Sequence, residues 1–360
     1  LSLSLSLQSF EPTMAVARPC VLLSDMVAQG CSVPSSYIRV ASDRPNLGDV
    51  EASDVTIPLI DLQGIDGPGR CHVVETIGRA CQTDGFFLIK NHGIPSPVVE
   101  GMLRVASEFF RLSAEERLVY FSNDPSKSTR LSTSFNVRTE KVCNWRDFLR
   151  LHCYPLEDFV HEWPSNPPSF REVVAEYSKH ARELAVRLLG AISESLGLAR
   201  DYMEKAMGGQ AQHMAINYYP PCPDPELTYG LPGHKDPNAI TILLQDDVAG
   251  LQVLRDGKWV AVNPIPGTFI INIGDQIQVL SNDRYKSVLH RAIVNSSRER
   301  ISVPTFYCPS ADALIGPPSA LVAAEHPPAY RSFTYGEYYD KFWNNGLATA
   351  SCLDVFSTDP

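Results

Sequence analysis

The sequence contains no Lys/Arg-rich run, no apolar stretch of about eighteen residues, and no pair of cysteines at C-x-x-C spacing. Without a basic run there is no electrostatic footprint for a phosphate backbone. The net charge of −10 also argues against a nucleic-acid partner. Without a long apolar stretch, no helix is expected to span a membrane. The cysteine spacing speaks against a structural zinc site. The nine cysteines are Cys20, Cys31, Cys71, Cys81, Cys143, Cys153, Cys222, Cys308 and Cys352. Scattered and odd in number, they read as reduced thiols of a cytoplasmic protein, not as a disulfide scaffold. A secretory leader is not expected either: Leu1 to Leu7 alternate Leu and Ser, with no basic region and no small-residue cleavage pattern. Residues 1–13, ahead of Met14, read as an extension foreign to the fold or as a natural disordered tail.

What is present is ordinary for a globular chain: 44% hydrophobic and 20% charged residues over 360 positions, enough for one large domain or two modest ones. Four regions are expected. They are an extension and arm over 1–52, a region with a helical shell over 53–200, a β core over 208–310 and a packing segment over 311–360. Strands are predicted at 56–60, 85–90 and 145–152, with helices over 73–81, 95–110 and 168–197. The Ser/Thr-rich stretch 123–144 reads as a long loop. From about 212 to 308 the texture changes to short strands separated by Gly, Pro, Asn and Asp. They are expected at 213–219, 239–244, 251–254, 258–261, 268–273, 288–294 and 301–307, with no helix among them. Such a pattern predicts a mainly β protein with α elements, a double-sheet β core in a helical shell. An aromatic-rich helix is expected over 333–353.

His234-Lys235-Asp236 follows the turn 230–233. On an extended segment, residues i and i+2 point to one face, so His234 and Asp236 can address one point. His290 lies on another predicted strand. Two imidazoles and one carboxylate leave three coordination positions open, the facial arrangement of non-haem Fe(II) in oxygen chemistry. An H-x-D alone is common by chance, and a lone histidine is more often a core residue. The pair gains weight from the β setting and from Arg300-Ile301-Ser302, about ten residues beyond His290. There, too, i and i+2 share a face. A guanidinium fork and a hydroxyl suit the far carboxylate of a keto acid chelated to the iron. Asn217 and Tyr219 share a face of the strand before the metal motif, where Tyr219 can reach the keto acid; a plain core aromatic is the competing view.

These residues resemble the plant 2-oxoglutarate/Fe(II)-dependent dioxygenase family, which includes anthocyanidin synthase, flavone synthase and gibberellin oxidases. The resemblance runs through Ile57-Pro58-Leu59-Ile60-Asp61-Leu62, Asp84-Gly85-Phe86-Phe87, Asn91-His92-Gly93-Ile94, Asn217-Tyr218-Tyr219-Pro220, His234-x-Asp236, His290 and Arg300-x-Ser302. His92 belongs to a structural turn and is not assigned to iron. Segments 129–136, 144–155, 162–170 and 212–215 are similar to the downy-mildew-resistance-type oxygenases. Lys235 departs from that pattern, where a small neutral residue is usual; on a strand it points away from the metal.

The resemblance implies a double-stranded β-helix (jelly-roll) core. It also implies Fe(2+), 2-oxoglutarate and O2 as cofactor and cosubstrates, with ascorbate in support. The metal ligands would be His234, Asp236 and His290, and the cosubstrate residues Arg300, Ser302, Tyr219 and Asn217. The implied substrate is a small phenolic, foremost salicylate hydroxylated at ring position 5 or 3 in salicylic acid catabolism and plant defence. The alternative is flavone synthase or flavanone oxidase chemistry on a flavonoid. Candidate substrate residues are Phe306 and Cys308 by alternation from Ser302, Phe135 and Asn136 from the loop, and Arg130, Arg150 and His213 as partners for an acid. A cytoplasmic monomer is expected. Two other classes stay open: a metal-dependent hydrolase, which would not need the Arg300–Ser302 clamp, and a non-catalytic jelly-roll binding protein.

Overall fold

A computed structural model describes residues 22–30, 32–46, 57–135, 140–347 and 351–358. Two facing sheets form the centre. In chain order the strands are β1 (Leu59–Asp61), β2 (Phe86–Lys90), β3 (Thr129–Thr133), β4 (Asp147–Tyr154), β5 (Ala211–Tyr219), β6 (Leu231–His234), β7 (Ile240–Gln245), β8 (Leu251–Arg255), β9 (Lys258–Ala261), β10 (Phe269–Ile273), β11 (His290–Ala292) and β12 (Arg300–Cys308). The larger sheet runs β1-β2-β10-β7-β12-β5-β4-β3 and the smaller β6-β11-β8-β9. This is the double-stranded β-helix, with helices around it.

Alternation builds the core. On β10, Ile271 and Ile273 point to the helical side, while Ile270 joins Phe86, Leu88, Leu243, Leu251, Val253 and Val262 between the sheets. The outer face is covered by helices Arg70–Thr83, Ser96–Phe110 and Phe170–Ser195. In the last, Val174, Tyr177, Ala181, Leu184, Leu188 and Ile192 recur at three- and four-residue spacing, and all are buried. Its end is set by Gly197 at φ +76°, whose N–H returns to the Glu194 carbonyl at 2.9 Å.

Several expectations shift. The stretch 123–144 is not all loop, because Thr129–Thr133 pairs antiparallel with β4 as an edge strand. Its Thr and Ser residues suit a pleat as well as a loop, and only the partner strand decides. The predicted turn 230–233 instead begins β6, since pairing with β11 extends it. The strand expected at 288–294 is regular only over His290–Ala292. A helix, Asp275–Leu280, sits within the β region where none was expected. The helix expected over 333–353 spans Tyr335–Asn345, ending before Gly346 at φ +65°.

The N-terminal arm is tied down by a buried carboxylate. Asp147 accepts hydrogen bonds from Leu23 N (3.0 Å) and Ser24 N (2.8 Å) at the start of helix Leu23–Ala28. Arg117 adds an ion pair to Asp25 and a bond to Ser24 Oγ at 2.7 Å. Asp147→Ala is expected to cost about 1–3 kcal/mol, the usual penalty for orphaned buried donors. A lowered midpoint in urea unfolding measures it.

Candidate active site

Strand pairing brings the metal candidates together. His290 on β11 stands directly opposite His234 on β6, their ring centroids 4.2 Å apart. Asp236 lies just past β6 and turns back so that its Oδ1 is 3.8 Å from His234 Nε2 and 3.7 Å from His290 Nε2. Both separations are under twice the metal–ligand bond of about 2.1 Å, so one ion can bridge these atoms. His234 Nδ1 faces the Pro232 carbonyl at 2.9 Å, and His290 Nδ1 the Val288 carbonyl at 3.1 Å. Those bonds fix the protons on Nδ1 and turn the Nε2 lone pairs to the centre. Burial first, then the neighbouring His290, pushes His234 down to about 3, so it is a neutral ligand. Asp236 Oδ2 accepts from Thr241 Oγ1 at 2.6 Å and from Asn272 Nδ2. A buried carboxylate beside two imidazoles, with its other oxygen held from behind, fits a divalent cation. Among the described residues these three are the one cluster of His, Cys, Asp and Glu able to hold a metal.

The clamp candidates form a patch of four on adjacent strands. Arg300 is opposite Tyr219, and Ser302 is opposite Asn217. Arg300 donates to the Val248 carbonyl (3.1 Å) and Gln245 Oε1 (2.8 Å), and its guanidinium lies 5.2 Å from the Tyr219 ring centre. Asn217 Nδ2 donates to Ser302 Oγ at 3.3 Å. The site is fitted around bulky groups by two glycines. A Cβ at Gly230 would stand 2.7 Å from the Tyr219 ring, and one at Gly250 would stand 2.8 Å from Arg300 Cδ. The patch thus offers a fixed cation with no carboxylate within ion-pairing distance among the described residues, which fits one end of a dicarboxylate. Gly250→Ala is expected to displace Arg300 and raise KM for 2-oxoglutarate about tenfold, the low end of an overpacking cost of about 1–3 kcal/mol. Initial rates against 2-oxoglutarate concentration read it directly.

One cavity joins the triad, this patch and most substrate candidates: Phe306, Phe135, His213, Arg130 and Arg150 all line it. Cys308 does not. It packs behind His213, its Sγ 3.8 Å from His213 Nδ1, because the cavity wall ends at the ring before it. Asn136 lies outside the described residues. Lys235 is not on the wall, and His92 is spent elsewhere, its Nδ1 accepting from Ile94 N at 3.1 Å. Sequence reasoning missed Phe148 on β4 and Arg146 just before it, although both fall in phase with Arg150 by simple alternation. It also missed Thr241 and Asn272 behind Asp236, and Tyr339, Phe342 and Trp343, which close the cavity from the C-terminal helix. Trp343 stacks on Phe135 at 5.0 Å and 6°.

Comparison with known proteins agrees with this geometry. Residues 210–309 match the model of the 2OG-Fe(II) oxygenase superfamily, and residues 57–169 match that of the non-haem dioxygenase in morphine synthesis N-terminal region. DMR6-like oxygenase 1 of Arabidopsis thaliana is 61% identical over 345 residues, covering 96% of this chain and 98% of that protein. Flavanone 3-dioxygenase 2 of Oryza sativa subsp. japonica is 57% identical over 328 residues, covering 91% and 95%. The crystal structure of JOX2 in complex with 2OG, Fe and JA superposes with a TM-score of 0.85 at 38% identity, covering 95% of this chain and 98% of that one.

Proposed function

Because this chain belongs to the 2OG-Fe(II) oxygenases, and is an Fe(II)/2-oxoglutarate-dependent dioxygenase, we propose that it hydroxylates a small planar phenolic, salicylate at ring position 5 or 3. One observation carries the choice of a flat ring: the cavity over the triad is walled by Phe86, Phe135, Phe148, Phe306 and Trp343.

Iron with 2-oxoglutarate and O2 supplies the oxidising power, yielding succinate and carbon dioxide. The chain's own residues hold and orient. His234, Asp236 and His290 would hold the metal. Arg300 and Ser302 bind the far carboxylate of 2-oxoglutarate, with Tyr219 and Asn217 alongside. Phe306, Phe135 and His213 bound the substrate, with Arg130 and Arg150 at its acidic end. Trp343 and Phe342 exclude water from above. The chain acts as a monomer in the cytoplasm, with 208–310 as its catalytic core and 53–200 as the shell around it. Among the described residues, no helix is long and apolar enough to cross a membrane.

A second possibility, oxidation of a flavanone, is favoured by the 57% identity to a flavanone 3-dioxygenase. Purified protein supplied with Fe(II), ascorbate, 2-oxoglutarate and a phenolic panel separates the two. Salicylate-stimulated succinate together with a dihydroxybenzoate is the expected result. Dihydrokaempferol or apigenin from naringenin, with no stimulation by salicylate, overturns it.

A further inference from the structure

We propose that Arg130 is the anchor for a carboxylate on the substrate, which makes this enzyme selective for acidic phenolics over neutral ones. The inference rests on the reading of the cavity as a phenolic site and names the group that site selects.

Arg130 on β3 stands directly opposite Arg150 on β4, and Arg150 opposite Ala215 on β5. Like charges facing each other across two strands are destabilising unless something negative comes between or before them. The third residue of the row is an alanine, so the space in front of the pair is left open. Arg146, one residue before β4 and in phase with Arg150, adds a third guanidinium to this side of the wall, which also carries Arg291 and Arg300. Among the described lining residues the sole carboxylate is Asp236, which is committed to the metal. The cation at Arg300 is matched by 2-oxoglutarate. Arg130, Arg146 and Arg150 are not.

The three differ in how far their donors are used. Arg146 donates to Ser134 O and to Asn217 Oδ1, both at 2.8 Å. Arg150 donates through Nη2 to the carbonyls of Pro125 and Lys127. Arg130 is only 4% exposed, and among the described residues its single hydrogen bond is a long one, Nη2 to Phe135 O at 3.4 Å. Its Nε, like that of Arg150, is buried without a partner, but unlike Arg150 it has no short bond through Nη2, and no carboxylate lies within ion-pairing distance among the described residues. The guanidinium carbon lies over the Phe148 ring, 5.1 Å from its centre, which helps to hold it in place. Burial first, then Arg150 and Arg146, brings Arg130 down to about 10, so it is still cationic at neutral pH. His213 cannot serve instead, because burial and the neighbouring His152 and Arg150 keep its imidazole neutral. A buried, oriented guanidinium with unused donors, facing a cavity that also contains the metal triad, is a receptor for a carboxylate.

The test is equilibrium binding, by calorimetry without oxygen, of salicylate and its neutral isostere salicylamide to protein carrying Fe(II) and 2-oxoglutarate. Wild type is expected to prefer the acid by about tenfold or more. In Arg130→Gln the preference disappears: salicylate weakens by about ten- to hundredfold while salicylamide changes by less than about twofold. A folding defect would weaken both ligands together, so the ratio is the readout. Arg130→Lys, which keeps the charge but not the fork, is expected to retain part of the preference. The proposal is overturned if wild type shows no preference, if Arg130→Gln keeps it, or if only Arg146→Gln or Arg150→Gln removes it. The two levels separate cleanly. Salicylate turnover with the acid preference intact in Arg130→Gln sinks the anchor and spares the substrate reading. Flavanone turnover with Arg130-dependent acid binding sinks the substrate reading and spares the anchor.

Discussion

Replacing Asp236 with alanine is expected to reduce substrate-dependent succinate formation by well over a hundredfold and to abolish tight Fe(II) binding. The scale follows from residues one step removed: side chains that only hydrogen-bond a metal ligand typically cost about 10–100-fold when removed, so the ligand itself must cost more. Asp236 is the only carboxylate among the described lining residues. Without it the metal would face two neutral imidazoles and no negative charge. The loss also orphans Thr241 Oγ1 and Asn272 Nδ2, which both donate to Asp236 Oδ2. Some destabilisation, about 1–3 kcal/mol, accompanies the change. Iron titration of the folded variant, beside its melting curve, separates lost ligation from lost fold. Near-normal iron affinity in Asp236→Ala would refute the triad. Asn272→Ala, which touches only the back of the carboxylate, is expected to fall in the milder range.

The second large effect is at Arg300. Removing one partner of a buried, hydrogen-bonded charge pair costs about 2–5 kcal/mol, and each 1.4 kcal/mol is about tenfold. Arg300→Gln is therefore expected to raise the Kd of 2-oxoglutarate by about 30-fold or more, while iron affinity stays near that of wild type. That split distinguishes the clamp from the metal triad. Arg300→Lys keeps a charge but loses the planar fork that Val248 O and Gln245 Oε1 hold in place, so it should recover only part of the affinity. Calorimetry with 2-oxoglutarate on the Fe(II)-loaded protein decides the matter. An unchanged Kd in Arg300→Gln would move the clamp elsewhere on the wall.

Much of this site was legible because a strand has a period of two. Alternation alone links Arg300 to Ser302 and Phe306, and Asn217 to Tyr219. It fails at Cys308, where the same rule holds but the cavity has already ended behind the His213 ring. The rule was also available for Arg146 and Phe148 from Arg150, yet a single strand cannot say which of its faces meets the cavity. Thr129–Thr133 was hidden for a related reason: an edge strand rich in Ser and Thr has no apolar face to announce it and is defined by its partner.

The sequence by itself determined the kinds of groups and their local faces: two histidines and an aspartate, an Arg-x-Ser, a helix spaced for burial, and short strands punctuated by turns. These follow from backbone periodicity and side-chain chemistry, which act within a few residues. The tertiary structure decided what meets what. His234 meets His290 through antiparallel pairing across more than fifty positions of chain. Trp343 reaches Phe135 from the far end of the protein. Arg130 stands opposite Arg150 across two strands, and both line the cavity that contains the metal triad. Contacts of that kind come from the packing of whole sheets and helices, and no local pattern encodes them.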